Sequence, residues 1–69
     1  MIELQITSPP DRTRIVVELW RENVQLAEVS NEDGTFRVEL YASPGTNRVV
    51  VPLNELEEAL RRARENLLR

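Results

Sequence analysis

The chain has 69 residues, a length that makes one domain with a small hydrophobic core. It contains no cysteine and no histidine, which excludes disulfides, thiolate or imidazole metal sites and an imidazole general base. Twelve acidic residues oppose nine basic residues, and this net charge of −3 argues against nonspecific nucleic-acid binding. Self-association is then the main remaining way for so short a chain to gain stability.

The sequence predicts no membrane segment, because no apolar run exceeds three residues. Residues 1–4 carry neither the basic region nor the apolar core of a secretory signal. We therefore expect a cytoplasmic protein with no cofactor, no bound metal and no membrane partner.

The first part of the chain alternates apolar and polar residues, a pattern typical of strands with one dry face. The first predicted strand runs from Met1 to Thr7 and ends before Pro9 and Pro10, which cannot donate ladder hydrogen bonds. The second is predicted from Thr13 to Arg21. A tight reversal follows it, in which Asn23 can take a positive φ.

The third predicted strand does not alternate cleanly. Val24 and Leu26 share one face, whereas Ala27 and Val29 share the other. Either a β-bulge between Leu26 and Glu28 shifts the register, or both faces of the strand are partly covered.

The turn predicted over 30–34 is the clearest in the sequence, because Gly34 can supply a left-handed residue. The fourth predicted strand, 35–42, alternates strictly. A loop over 43–47 separates it from a fifth predicted strand over 48–53. The side chains of the fourth strand expected to face the helix are Phe36, Val38 and Leu40.

A helix is predicted over 54–69, with Asn54 as the N-cap and Glu57 reaching back to it as in a capping box. Its apolar stripe consists of Leu56, Ala59, Leu60, Ala63 and Leu67. The expected single domain is an α+β two-layer sandwich: a mostly antiparallel β-meander of four to five strands within 1–53, then one C-terminal helix packed on one face.

No residue pattern is typical of catalysis. The serines fall in predicted turns, where they commonly hydrogen-bond the local backbone. The acidic pairs at 32–33 and 57–58 fit a solvated turn and a helix N-terminus, and the run 31–33 lacks the spacing of a calcium loop. We expect a protein that is not an enzyme.

The helix-free face of the sheet is the candidate binding surface. Its predicted composition resembles that of interfaces, in which Trp, Tyr and Arg are enriched. The alternative is that its aromatic residues are partly shielded by arginine stems and bind nothing. The predicted partner interface comprises Arg14, Val16, Glu18, Trp20, Arg37, Glu39, Tyr41, Arg48 and Val50, with Ala27 and Val29 on the same face.

The sequence thus favours a small non-enzymatic protein–protein interaction module whose partner is another protein chain. The expected form is a homodimer through the helix-free face or a sheet edge. The alternative is a nucleic-acid-binding regulatory domain in which Trp20 and Tyr41 stack on bases and arginines meet phosphates. The acidic total and the presence of Glu18 and Glu39 on that face weigh against it. A small-ligand or catalytic role between helix and sheet ranks last.

The run LNELEEALRRARENL at 53–67 resembles the helix that follows a small sheet in HicB-type antitoxins, over about a quarter of the chain. Small bacterial immunity proteins and phage inhibitors are comparably short and acidic. The resemblance implies a bacterial or phage protein that acts as an antitoxin-, immunity- or inhibitor-like binder.

Overall fold

The computed structural model describes residues 1–11, 14–41, 45 and 48–68. Within them the strands pair antiparallel with their sequence neighbours in the order β1-β2-β3-β4, and the helix packs on one side of the sheet. This confirms the predicted α+β fold of an antiparallel meander followed by a C-terminal helix. The elements are β1 (Glu3–Thr7), β2 (Val16–Arg21), β3 (Val24–Glu32), β4 (Thr35–Leu40) and α1 (Leu53–Leu67).

Two-residue turns close the hairpins on either side of β3. Glu22 and Asn23 connect β2 to β3 with φ of 52° and 64°, and Asp33 and Gly34 connect β3 to β4 with φ of 56° and 78°. Positive φ at both central residues is typical of type I′ turns, whose twist matches that of the flanking strands. The positive φ predicted at Asn23 and Gly34 is confirmed, and β3 continues to Glu32, into the segment predicted as a turn over 30–34.

A β-bulge at Leu26 explains the irregular pattern of β3. Leu19 lies opposite Ala27, whereas the next residue of β2, Trp20, lies opposite Gln25, so Leu26 is the extra residue. The first of the two interpretations of this strand is therefore confirmed. Because of the bulge, Leu26 and Ala27 are adjacent in sequence and yet both pack toward the helix.

The core lies between α1 and the first three strands. Its buried side chains are Ile2, Val17, Leu19, Ala27, Val29, Ala59 and Ala63. Leu56, Leu60 and Leu67 pack at its margin, so the predicted apolar stripe of the helix is confirmed. The buried residues of α1 are both alanines, and their small side chains let the helix backbone approach the sheet closely.

Ala27 and Val29 correct the predicted helix-free face, because both are buried under α1. The bulge is the reason: it shifts the alternation of β3 by one residue, so that the face predicted from Val24 changes beyond Leu26. Ile15 precedes β2 and is exposed, so it lies outside the core that Val17 and Leu19 join.

The predicted fifth strand over 48–53 is wrong. Residues 48–52 have no regular secondary structure, and α1 begins at Leu53. Among the described residues, β4 is therefore the last strand of the sheet, and it ends at Leu40. Thr13, the predicted start of the second strand, and most of the predicted loop over 43–47 lie outside the described residues.

The predicted capping box is also wrong, because Asn54 lies inside α1 and Pro52 occupies the N-cap position without a side-chain hydrogen bond. The carbonyl oxygen of Pro52 accepts hydrogen bonds from the N–H groups of Glu55 and Leu56 at 3.1 and 3.2 Å. Proline suits a helix entry because its φ, −59° here, is fixed near the helical value.

Arg61 pairs with two glutamates on the exposed side of α1. Its Nε and Nη2 lie 3.0 and 2.6 Å from the two carboxylate oxygens of Glu58, and its Nη1 donates to Glu65. The hydrogen bonds from Arg61 lower the pKa of Glu58, and the same bonds raise the pKa of Arg61. Since all three side chains are exposed, these pairs contribute little to stability.

We expect Arg61→Gln to raise the pKa of Glu58 toward its ordinary value, as measured by NMR titration of the side-chain carboxyl. A carboxyl with a lowered folded-state pKa stabilises the fold above its unfolded pKa, and loses that contribution as the pH falls through the folded value. Arg62→Gln is the matched control and should raise the pKa of Glu58 less, because Arg62 acts on it by charge alone. Equal titration midpoints in wild type and Arg61→Gln would contradict the ion pair.

We expect Gly34→Ala to lower the free energy of unfolding by about 1 kcal/mol or more, measured by urea denaturation. A Cβ at Gly34 would meet no atom within 4 Å, so the cost comes from the φ of 78° alone. Asn23→Gly is the control and should leave stability unchanged or raise it, because glycine tolerates positive φ. A Gly34→Ala variant as stable as wild type would be inconsistent with the type I′ turn.

Candidate functional site

The helix-free face of the sheet carries a row of acidic side chains. The strand register aligns Gln5, Glu18, Glu28 and Glu39 directly across the four strands. Since alternate residues of a strand share a face, the charged residues of the four strands on this side are Glu3, Glu18, Glu28, Glu32, Arg37 and Glu39. Five glutamates and one arginine make this face acidic by composition.

Trp20 is held on the helix-free face by contacts within the protomer. Its indole Nε1 donates a hydrogen bond to Oε1 of Glu18 at 2.9 Å, and the side chain is half-buried. The polar recess beside it is lined by Glu3, Gln5, Trp20, Glu22 and Asn23. The indole N–H therefore has a partner inside the protomer, as is usual for a tryptophan with one apolar and one polar side.

The predicted interface residues do not form one surface. Those on the helix-free side of the strands are Val16, Glu18, Trp20, Arg37 and Glu39. Val16 is only 1% exposed, so it offers almost no surface to a partner. Tyr41 follows β4, and its hydroxyl lies 3.5 Å from Oε2 of Glu39.

The remaining three predicted residues lie outside the four strands. Arg14 lines a recess with Leu67, and Arg48 lines another with Leu56, so both recesses border the helix. Val50 is exposed in the segment before α1. The structure therefore brings together six of the nine residues, with Tyr41 beside Glu39, and separates Arg14, Arg48 and Val50 from them.

The sequence did not predict that the helix side of β4 carries an exposed apolar surface. Since α1 packs mainly on β1, β2 and β3, Val38 and Leu40 are left 45% and 77% exposed. The Arg64 guanidinium of α1 reaches the strand, 4.9 Å from the centre of the Phe36 ring. We call Phe36, Val38 and Leu40 the β4 surface.

An apolar recess of about 390 Å³ adjoins the β4 surface. It lies between the bulged first half of β3 and the segment 48–51 that precedes α1. Its lining residues are Leu26, Ala27, Leu40, Tyr41, Arg48, Val49, Val51 and Leu56. Because Leu40 belongs to both, the recess and the β4 surface form one continuous apolar region.

The backbone of β4 adds polar groups to this region, since β4 is an edge strand of the sheet. The Tyr41 N–H donates to the Leu26 carbonyl oxygen at 3.0 Å. Hydrogen bonding alternates along an antiparallel pair, so every second residue of β4, counted back from Tyr41, bonds to β3. The residues between them are the members of the β4 surface, and their N–H and C=O groups point outward from the sheet.

No protein-family model, curated protein or solved structure matches the chain. The likeness to HicB-type antitoxins therefore remains a resemblance of one helix. Among the described residues, no group of acidic side chains is placed to hold a metal ion. In the same part of the chain, no helix has the length and apolar character needed to cross a membrane.

We expect Leu40→Ala to change the free energy of unfolding of the monomer by less than about 0.5 kcal/mol, because Leu40 is mostly exposed. The matched substitution Leu19→Ala should cost about 3 kcal/mol, since Leu19 is fully buried and its truncation leaves a cavity. Urea denaturation at low protein concentration measures both. A large loss in Leu40→Ala would mean that Leu40 packs in the core.

Proposed function

We propose that the protein is a non-enzymatic protein–protein interaction module that binds through the β4 surface and the open backbone edge of β4. The observation that carries the proposal is the 77% exposure of Leu40 on an edge strand. A strand edge with apolar side chains and outward backbone groups is a template for pairing with another chain. Such pairing supplies main-chain hydrogen bonds for affinity and side-chain contacts for specificity.

The acidic composition of the helix-free face favours the sheet edge over that face as a self-association surface. A two-fold dimer brings the same patch of both subunits together. On this face it would bring the Glu18, Glu28 and Glu39 row of one copy near the same row of the other. Like charges placed together across an interface are unfavourable.

The same face disfavours the nucleic-acid alternative. Trp20 and Tyr41 would need to approach bases across a surface whose strands carry five glutamates and one arginine. Such a surface repels a phosphate backbone, whereas nucleic-acid-binding domains present a basic patch.

The partner in this proposal is a protein chain, and the simplest partner is a second copy. Self-association would also compensate for the small core of a 69-residue chain. The proposed class is an antitoxin-, immunity- or inhibitor-like binder of bacterial or phage origin. The proposed location is the cytoplasm, a reducing compartment that suits a chain without cysteine.

We expect the molecular mass of the wild type, measured by sedimentation or light scattering, to rise toward that of a dimer with concentration. Leu40→Lys should stay monomeric, because it places a charge in the apolar part of the contact. Ile6→Lys is the matched control: Ile6 is 53% exposed on the helix side of the other edge strand, and its replacement should leave association unchanged. A wild type that stays monomeric at every accessible concentration would reject self-association.

We expect the fluorescence maximum of Trp20 to stay constant when the dimer is diluted into monomers. Trp20 lies on β2, two strands away from the β4 edge, and on the helix-free face. It is the single tryptophan, so the emission reports on this site alone. A red shift on dilution would place the contact on the helix-free face instead.

A further inference from the structure

The order of charges along β4 distinguishes one pairing register from its neighbours. We propose that two copies of the chain pair antiparallel through β4, with Val38 of one copy opposite Val38 of the second copy. This inference rests on the proposed function, because it specifies the partner and the geometry of the same surface. It follows from the backbone, the charges and the apolar side chains of one six-residue strand.

The backbone groups of β4 fit this register. The N–H and C=O groups of Phe36, Val38 and Leu40 point outward, as the phase of the Tyr41–Leu26 hydrogen bond indicates. With the two-fold axis at Val38, the two Val38 residues form a hydrogen-bonded pair. Phe36 of each copy then forms the same kind of pair with the second copy's Leu40. All the outward groups of these residues obtain partners.

The charges of β4 are complementary in the same register. Arg37 and Glu39 share the helix-free face and flank Val38, so each Arg37 lies directly opposite the second copy's Glu39. Moving the two-fold axis by one residue places Arg37 opposite the second copy's Arg37, or Glu39 opposite its Glu39. Opposite charges across a strand pair stabilise it and like charges destabilise it, so the pattern favours the axis at Val38.

A cation from the second copy would also stabilise the Glu39 carboxylate. In the protomer it lies directly opposite Glu28 of β3, which is a like-charge neighbour. The second copy's Arg37 would place a positive charge on the other side of Glu39.

The apolar residues of β4 form a continuous strip across the proposed dimer. On the helix side, Phe36 meets the second copy's Leu40, and Val38 meets the second copy's Val38. These cross-strand pairs cover part of the side chains that α1 leaves exposed in the protomer. The two-fold axis places both helices on the same side of the combined sheet, on either side of this strip.

The other edge of the sheet offers no equivalent pattern. β1 carries Glu3 as its one charged residue, so no antiparallel pairing of β1 with itself joins opposite charges. Pairing β4 with the second copy's β1 would be heterologous, and repeated pairing of that kind builds open filaments rather than a closed dimer. Self-pairing of β4 closes the assembly and leaves β1 at both outer edges.

The test uses Arg37→Glu and Glu39→Arg, which change exposed side chains. In either variant alone, both charge pairs of the dimer become like-charged, and the dissociation constant should rise at least about 10-fold. In an equal mixture of the two variants, a heterodimer has opposite charges at both pairs. The mass measured by sedimentation should therefore return to that of a dimer.

Two further variants make the test independent of folding defects. The double variant Arg37→Glu/Glu39→Arg restores both opposite-charge pairs within a homodimer and should associate like the wild type. Glu3→Arg changes a charge on the same face at the other edge of the sheet and should leave association unchanged. Far-UV circular dichroism of each variant checks that the protomer is folded.

Two outcomes overturn different parts of the proposal. A dimeric wild type that Leu40→Lys dissociates, together with a variant mixture that stays monomeric, would reject the Val38 register and leave the proposed function standing. A wild type that is monomeric at every accessible concentration would reject both the register and the self-association on which it rests.

Discussion

The helix α1 is narrower than the sheet it covers, and much of the structure follows from this mismatch. An α-helix is about 10 Å across, whereas the outer strands of a four-stranded sheet lie about 14 Å apart. α1 packs mainly on β1, β2 and β3, where Ala59 and Ala63 let it approach the core closely. The helix side of β4 is left open, and Leu40 is exposed although its strand alternates as a core strand should.

The two sides of the sheet therefore offer different chemistry to a partner. The helix-free side carries the aligned Glu18, Glu28 and Glu39, which disfavours both phosphate and a second copy of the same face. The β4 edge combines apolar side chains with outward backbone groups, and its Arg37 and Glu39 carry both signs of charge. We infer that the edge is the surface on which this chain recognises another, because its polar and apolar groups can be satisfied together.

Local patterns were sufficient to predict the meander, the left-handed residues Asn23 and Gly34 and the apolar stripe of α1, because each depends on near neighbours in sequence. To predict which residues of β3 face the helix, one must know the position of the bulge at Leu26. The sequence left two interpretations of this strand open. The exposure of Leu40 depends on where α1 crosses the sheet. That position is set by tertiary packing, which alternation within one strand cannot reveal. Arg37 and Glu39 were noticed as interface residues, but their symmetry about Val38 has meaning only once β4 is known to be an edge.

Pairing through β4 is tested most directly by residue-resolved amide hydrogen exchange in β4 at low and high protein concentration. Arg37 and Glu39 bond to β3 in the protomer, so their amides should be protected at both concentrations. The amides of Phe36, Val38 and Leu40 point outward and should exchange rapidly in the monomer, then become protected as the dimer forms. Rapid exchange of these three amides in a sample shown to be dimeric would contradict pairing through β4.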